Sequence, residues 1–268
     1  MLDILNYSFM VRALIAGVAI GIVAPLIGTF LVAKRYSLIA DSLAHVSLGG
    51  LAAGVILGVN PLLGALAIAI LAAFTIEKLR GGKFVTAEMA LAMFLSGGLA
   101  VAVVLISISH RANVDLMSFL FGSITTVTQQ DLWVIGGLAV AIVSIVAFLY
   151  RQLAYASFDE EQAQASGLRV QILNQLLIIL AAVTVVLSLR IVGGLLIGAL
   201  TVIPVAAAAQ LARSFRQTIG YAVAFGLASV ITGLVASFYL GLAAGGTIVL
   251  AALLFFTASM TLKKALPR

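Results

Sequence analysis

The chain has no cysteine, and among its 268 residues only nine are acidic and two are histidine. The first absence excludes disulfides and thiolate metal centres, so any metal chemistry falls to oxygen and nitrogen ligands. Charge is scarce as well: 9% of residues are charged and 63% are hydrophobic, whereas a soluble domain carries about 25% charged residues. A water-soluble fold cannot cover such a surface, because even its buried helices need a polar outer face. A mean hydropathy of +1.26 makes lipid the natural solvent. The chain also lacks a nucleotide-cradling loop. Gly81-Gly82-Lys83-Phe84 ends like one, but it has neither the Ser or Thr after the lysine nor the preceding glycine at the required spacing. ATP dependence, if any, must therefore come from a partner.

What is present is a series of long apolar runs. A helix crosses the hydrocarbon core with about 20 residues. Uncharged stretches run from Ala13 to Ala33, Ser42 to Asn60, Pro61 to Ile76, Met89 to Ser109, Leu132 to Tyr150, Val170 to Leu189 and Ile191 to Ala212. The next, Gln217 to Leu262, is too long for one span and is expected to turn near Leu240 to Gly246, where three glycines cluster. The reading is an all-α integral membrane protein, a single polytopic bundle over residues 1–268 with about nine spans. It drops to eight if Ser42 to Asn60, which holds a histidine and several glycines, is short or re-entrant. Met1 to Met10 carries Asp3 and no basic residue, so no cleaved targeting segment is expected.

The formal charge of +6 does not indicate nucleic acid, because the Lys and Arg residues sit in small groups between apolar runs. They instead set topology. With the C-terminus in the cytoplasm, Lys34, Arg35, Lys78, Arg80, Lys83, Arg151, Arg169, Arg213, Arg216, Lys263, Lys264 and Arg268 fall inside, and only Arg12, Arg111 and Arg190 fall outside. Nine spans then place the N-terminus outside. Small residues recur four apart at Gly17/Gly21, Gly50/Gly54/Gly58, Gly194/Gly198 and Gly241/Gly245, and each set reads as close helix packing in lipid. Leu95-Ser96-Gly97-Gly98-Leu99 looks like an ATPase signature loop, but it lies in mid-span and reads as a packing notch.

An ionisable group inside the bilayer costs about 2.5 to 3.5 kcal/mol on insertion scales, so each one demands an explanation. Asp41 and His45 stand four apart, which puts them on one face if the segment is helical. A carboxylate oxygen with an imidazole nitrogen suits Zn²⁺, Mn²⁺ or Fe²⁺. Equally, Asp41 can cap a helix beginning at Ser42, with His45 bonded to a neighbouring helix. The residues alone leave both readings open. Glu88, at the start of the fourth span, suits a helix dipole; Glu77 reads as a solvated interfacial charge and His110 as an exposed loop residue. Ala156 to Arg169 reads as a short cytoplasmic helix at about 157–167, with Asp159 as N-cap, Gln162 three residues on, and Gly167 as its stop.

Several motifs in order resemble the zinc, manganese and iron permease family of bacterial ABC importers along nearly the whole chain. Lys34-Arg35-Tyr36-Ser37-Leu38 followed by Asp41, Ser42, Leu43, Ala44 and His45 is similar to that family's basic pair, turn and D-[AST]-[LI]-[AS]-H segment. Asn60-Pro61 falls at its tight turn. Val114-Asp115-Leu116-Met117-Ser118-Phe119-Leu120-Phe121-Gly122 and the stretch from Val192-Gly193-Gly194-Leu195-Leu196 to Val202-Ile203-Pro204 match two further segments.

The resemblance implies a multi-pass inner-membrane permease without a resident cofactor, carrying a zinc, manganese or iron ion. Its implied partners are two ABC ATPase subunits, a second copy of itself and an extracytoplasmic metal-binding protein. It implies Asp41 and His45 on the metal path, with Glu88 as a further candidate. It also implies that Phe158, Asp159, Glu160, Glu161 and Gly167 form a coupling helix that docks on the ATPase. Ser123 and Gln210 depart from the family's usual residues, which leaves the metal open. The rival readings are a permease for a metal chelate or cobalamin, for which Asp41 and His45 would be unexplained, and a secondary transporter, for which no internal repeat is apparent.

Overall fold

The computed structural model describes residues 4, 6–80, 86–108 and 116–265, all helix, turn and loop with no strand among them. The glycine-lysine stretch at 81–84, His110, Arg111, Asp115 and Arg268 lie outside the described residues. Eleven helices follow in order: α1 (Ser8–Ala33), α2 (Ile39–Ile56), α3 (Pro61–Arg80), α4 (Ala87–Ile108), α5 (Leu116–Phe121), α6 (Gln129–Phe158), α7 (Glu160–Ala165), α8 (Val170–Ser188), α9 (Ile197–Leu211), α10 (Phe215–Leu240) and α11 (Ala244–Ala265). Eight are long and apolar enough to cross a membrane, and α9, with 15 residues, is a shorter apolar helix. The protein is a polytopic all-α bundle.

The uncertain span falls elsewhere than expected. α2 is a continuous helix of 18 residues, packed among α3, α4, α8 and α9. Its polar and small residues are shielded by protein rather than exposed to lipid, which is why they do not interrupt it. The expected span from Ile191 to Ala212 is instead broken. α8 stops at Ser188, Gly193 adopts φ +86°, and helix resumes only at Ile197. The intervening turn pairs with the end of α5 and the residues just after it. Gly194 N–H donates to the Phe119 carbonyl at 2.8 Å, Leu195 N–H to Leu120 at 3.1 Å, and Ser123 N–H to Arg190 at 3.0 Å. Hydropathy registers only that this segment is apolar; the break comes from tertiary hydrogen bonds that satisfy its backbone.

α6 runs for 30 residues, well beyond the expected Leu132 to Tyr150, because the helix continues past Arg151 into the polar zone. It starts in a capping box in which Thr128 Oγ1 accepts from Asp131 N–H and Asp131 accepts from Thr128 N–H. α10 and α11 divide at Gly241, which adopts φ +64°. The four-spaced glycines Gly50 and Gly54 meet α3 backbone: a Cβ on Gly50 would stand 2.6 Å from the Gly64 carbonyl oxygen. Gly98 of the LSGG-like stretch likewise lies against α2 at Val46.

Candidate functional site

α2 begins at Ile39, three residues before the expected start, after a tight turn that closes α1. In that turn Tyr36 N–H returns to the Leu31 carbonyl at 2.7 Å, and Arg35, at φ 60°, occupies the left-handed position usually taken by glycine. The early start settles one of the open readings. Asp41 lies inside the first turn of α2, and the N-cap residue is Leu38, with no side-chain cap. Asp41 is not the cap.

Asp41 faces α9. A Cβ added to Gly198, the second residue of α9, would overlap the Asp41 Oδ1 atom, so only glycine there admits the carboxylate. Asp41 and His45 lie one turn apart and interact electrostatically. Among the described residues no hydrogen bond reaches the Asp41 carboxylate, and His45 Nδ1 is buried without a partner. Buried polar atoms are almost always bonded, and the exceptions call for a ligand, water or ion. α2 thus presents, one turn apart, a carboxylate set against α9 and an imidazole whose buried Nδ1 has no partner. No third His, Cys, Asp or Glu joins them among the described residues.

Glu88 is exposed in the first turn of α4, and the structure does not bring it to Asp41 and His45. The N–H of Met89 is instead capped by Thr86 Oγ1 at 3.2 Å. Glu77 is not solvated as expected: it pairs with Arg80 at 3.1 Å, its side chain only 16% exposed. A cavity of about 370 Å³ opens between α2, α3 and α4, lined by groups such as Val46, Ile68, Phe94 and Val101. Its lining offers an ion no ligand.

By spacing, Gly194 and Gly198 read as one packing pair with no role at the site. The structure separates them, with Gly194 in the turn before α9 and Gly198 against Asp41. No spacing motif marks Gly198 as part of the site; what singles it out is that a carboxylate in a crowded seam needs a residue without a side chain opposite it.

At the C-terminal end of α1, beside the turn that leads into α2, the segment after α6 is compact. Phe158 ends α6, is 69% exposed, and packs edge-on to Phe215 at 5.1 Å. Asp159 Oδ1 accepts from Gln162 N–H at 2.9 Å and starts α7, a helix narrower than the expected 157–167. Gly167 adopts φ +86° just beyond it. Glu161 is exposed. Glu160 turns toward the bundle, where it bonds Lys34 Nζ and accepts from Asn174 Nδ2 at 3.3 Å. Burial opposes ionisation of Glu160, but the Lys34 ammonium and the Asn174 amide outweigh it and hold the carboxyl below its usual range.

Comparison with known proteins agrees with this architecture. Residues 6–263 match the ABC 3 transport family. The chain is 33% identical over 254 residues to the manganese import system permease protein ScaB of Streptococcus gordonii, covering 95% of this chain and 91% of that one. It is 37% identical to a probable metal transport system membrane protein of Treponema pallidum, covering 90% and 91%. Among solved structures, PsaBC from Streptococcus pneumoniae in complex with Fab superposes with a TM-score of 0.87 at 32% identity, over 96% of this chain and 92% of that one. A putative metal-chelate type ABC transporter in an inward-facing conformation, at 15% identity and a TM-score of 0.71, shares the fold. A bundle of eight long apolar helices with this match along nearly its whole length is a multi-pass bacterial inner-membrane protein, a transport component rather than an enzyme, and the chain belongs to the ABC 3 transport family of metal-type ABC transporter permeases.

Proposed function

We propose that this chain is the membrane permease of an ATP-driven importer for divalent metal ions, with manganese as its principal cargo. The observation that carries this reading is Asp41 and His45 one turn apart on α2, with the carboxylate set against Gly198 and the His45 Nδ1 buried without a partner. A carboxylate and an imidazole together suit a borderline divalent cation, and a site with few protein ligands releases its ion readily. Manganese rather than zinc or iron is favoured by the names of the relatives, ScaB and the MntC protein of Listeria monocytogenes, 33% identical over 253 residues.

The working assembly contains two copies of this permease, two ATPase subunits and an external metal-binding protein. The C-terminus and α7 face the cytoplasm and the N-terminus faces outward, in line with the distribution of Lys and Arg. The exposed Phe158, Asp159 and Glu161 dock on the ATPase, with Gly167 closing the coupling segment. ATP-driven movement of that segment switches access to Asp41 and His45 between the two sides of the membrane. The ion exchanges part of its water shell for the two side chains as it passes.

The test is reconstitution with the cognate ATPase and binding protein in liposomes, followed by uptake of radioactive manganese, zinc and iron. ATP-dependent manganese accumulation exceeding that of the other two is expected. Uptake of a metal chelate or cobalamin with no uptake of free ions would overturn the reading.

A further inference from the structure

Glu160 belongs to the coupling segment, yet its carboxylate contacts the permease's own interior. The partner it meets there is unusual. The Lys34 side chain is only 3% exposed, whereas that of Glu160 is 48% exposed. A buried ammonium is costly unless paired, and Glu160 is the carboxylate that pairs it. Lys34 is the C-cap of α1 and the first residue of the rigid turn, closed at Arg35 and Tyr36, that leads into α2. Asp41 follows in the first turn of that helix.

The same turn is gripped from a second side. The Arg80 guanidinium at the end of α3 stacks on the Tyr36 ring, 3.5 Å from its centre, and is itself held by Glu77. Asn174, near the start of α8, donates to Glu160 at 3.3 Å. α7 is therefore joined by an ion pair to the one turn that precedes the Asp41 helix, and Tyr36 is anchored to α3 beside it. The bond joins two segments 126 positions apart in sequence, and Tyr36 of the same turn adds a longer contact to the same carboxylate, its hydroxyl donating at 3.5 Å.

We propose that the Lys34–Glu160 ion pair is an internal strut that carries displacement of α7 to the Asp41 end of α2, so that Glu160 is a positioning residue for the transport site rather than an ATPase-docking residue. The inference rests on the metal-permease reading given above. An ion pair transmits both push and pull over a short distance, and removing one partner of a buried charge leaves the other uncompensated. Phe158 and Glu161 remain free to face the ATPase, because neither contributes to the strut.

The experiment uses the whole reconstituted complex and measures manganese transported per ATP hydrolysed, alongside the amount of ATPase that co-purifies and the thermal stability of the complex. Glu160→Gln and Lys34→Met are each expected to lower the transport-to-hydrolysis ratio about tenfold, within the range of coupled side chains. ATPase co-purification should be retained, and the reversed pair Lys34→Glu with Glu160→Lys should recover most of the ratio. Glu160→Asp keeps the charge but is one methylene short, and a smaller loss in the same ratio is expected. Three results overturn the strut. One is loss of ATPase binding in Glu160→Gln that the reversed pair does not restore, which assigns Glu160 to docking. Another is a lower yield of folded complex with a normal ratio in what remains, which makes the bond a stabilising contact only. The third is a normal ratio in Glu160→Asp should the stronger variants fail to assemble. Failure of the underlying reading looks different, because the wild-type complex itself would then move no manganese.

Discussion

Asp41 and Asp131 are both carboxylates inside an apolar bundle, and the fold treats them in opposite ways. Asp131, 6% exposed, accepts from the Thr128 N–H at 2.9 Å and from the Thr128 hydroxyl at 2.7 Å, and lies 3.3 Å from the Arg190 guanidinium. Arg190 in turn donates to the Thr126 carbonyl at 2.9 Å. These contacts gather on Asp131 Oδ2, and the carboxylate pins α6 to the turn before α9. Asp41 has His45 one turn away and a bare glycine opposite, with no hydrogen bond to it among the described residues. A carboxylate engaged by a cap and a guanidinium holds structure together; one without a hydrogen bond in a costly place is available to a ligand.

The contrast makes graded predictions. Asp41→Ala and His45→Ala should reduce manganese uptake per assembled complex by at least about a hundredfold, the upper range for disturbing a metal site's surroundings. The yield of folded complex should change little. Gly198→Ala leaves both ligands in place but drives a methyl group into the Asp41 carboxylate. Uptake should then fall by about tenfold, the lower end of that range, and wild-type uptake would show that the close approach is unimportant.

Asp131→Ala should act on the other axis. It leaves Arg190 partly buried without its carboxylate and Thr128 without its cap, a loss of about 3 kcal/mol. The expected readout is a lower melting temperature with unchanged uptake per folded complex. The smallest effect concerns Glu160. Its folded-state pKa is depressed, so its ion pair contributes fully above the usual carboxyl value of 4.5 and is lost only as pH falls through the lower folded value. The difference in melting temperature between wild type and Glu160→Gln should hold constant from neutrality down to about pH 4.5 and shrink only below it.

Much of this arrangement is legible in the sequence, because lipid imposes simple rules. Runs of apolar residues locate the helices, and the glycines near 241 locate the last reversal. Asp41 and His45 stand out because charge in such a segment is expensive. What escapes is whatever tertiary contact decides. The break between Ser188 and Ile197 depends on pairing with residues 119–123, and neither segment announces it. Glu77 looks solvated beside Lys78 and Arg80, yet Arg80 draws it into the network around Tyr36. Glu160 looks like a surface acid of a capped helix until Lys34, 126 positions away, is seen beneath it. Gly198 shows the same limit, since its role depends on what faces it.

The most direct test of the central claim is radioactive manganese uptake by Asp41→Asn, normalised to purified complex. Asparagine keeps the shape and hydrogen-bonding capacity of the side chain while removing its charge and one of its carboxylate oxygens. The account predicts that uptake is largely lost while assembly and melting temperature stay at wild-type values. Wild-type uptake by Asp41→Asn, together with wild-type uptake by His45→Ala, would contradict it.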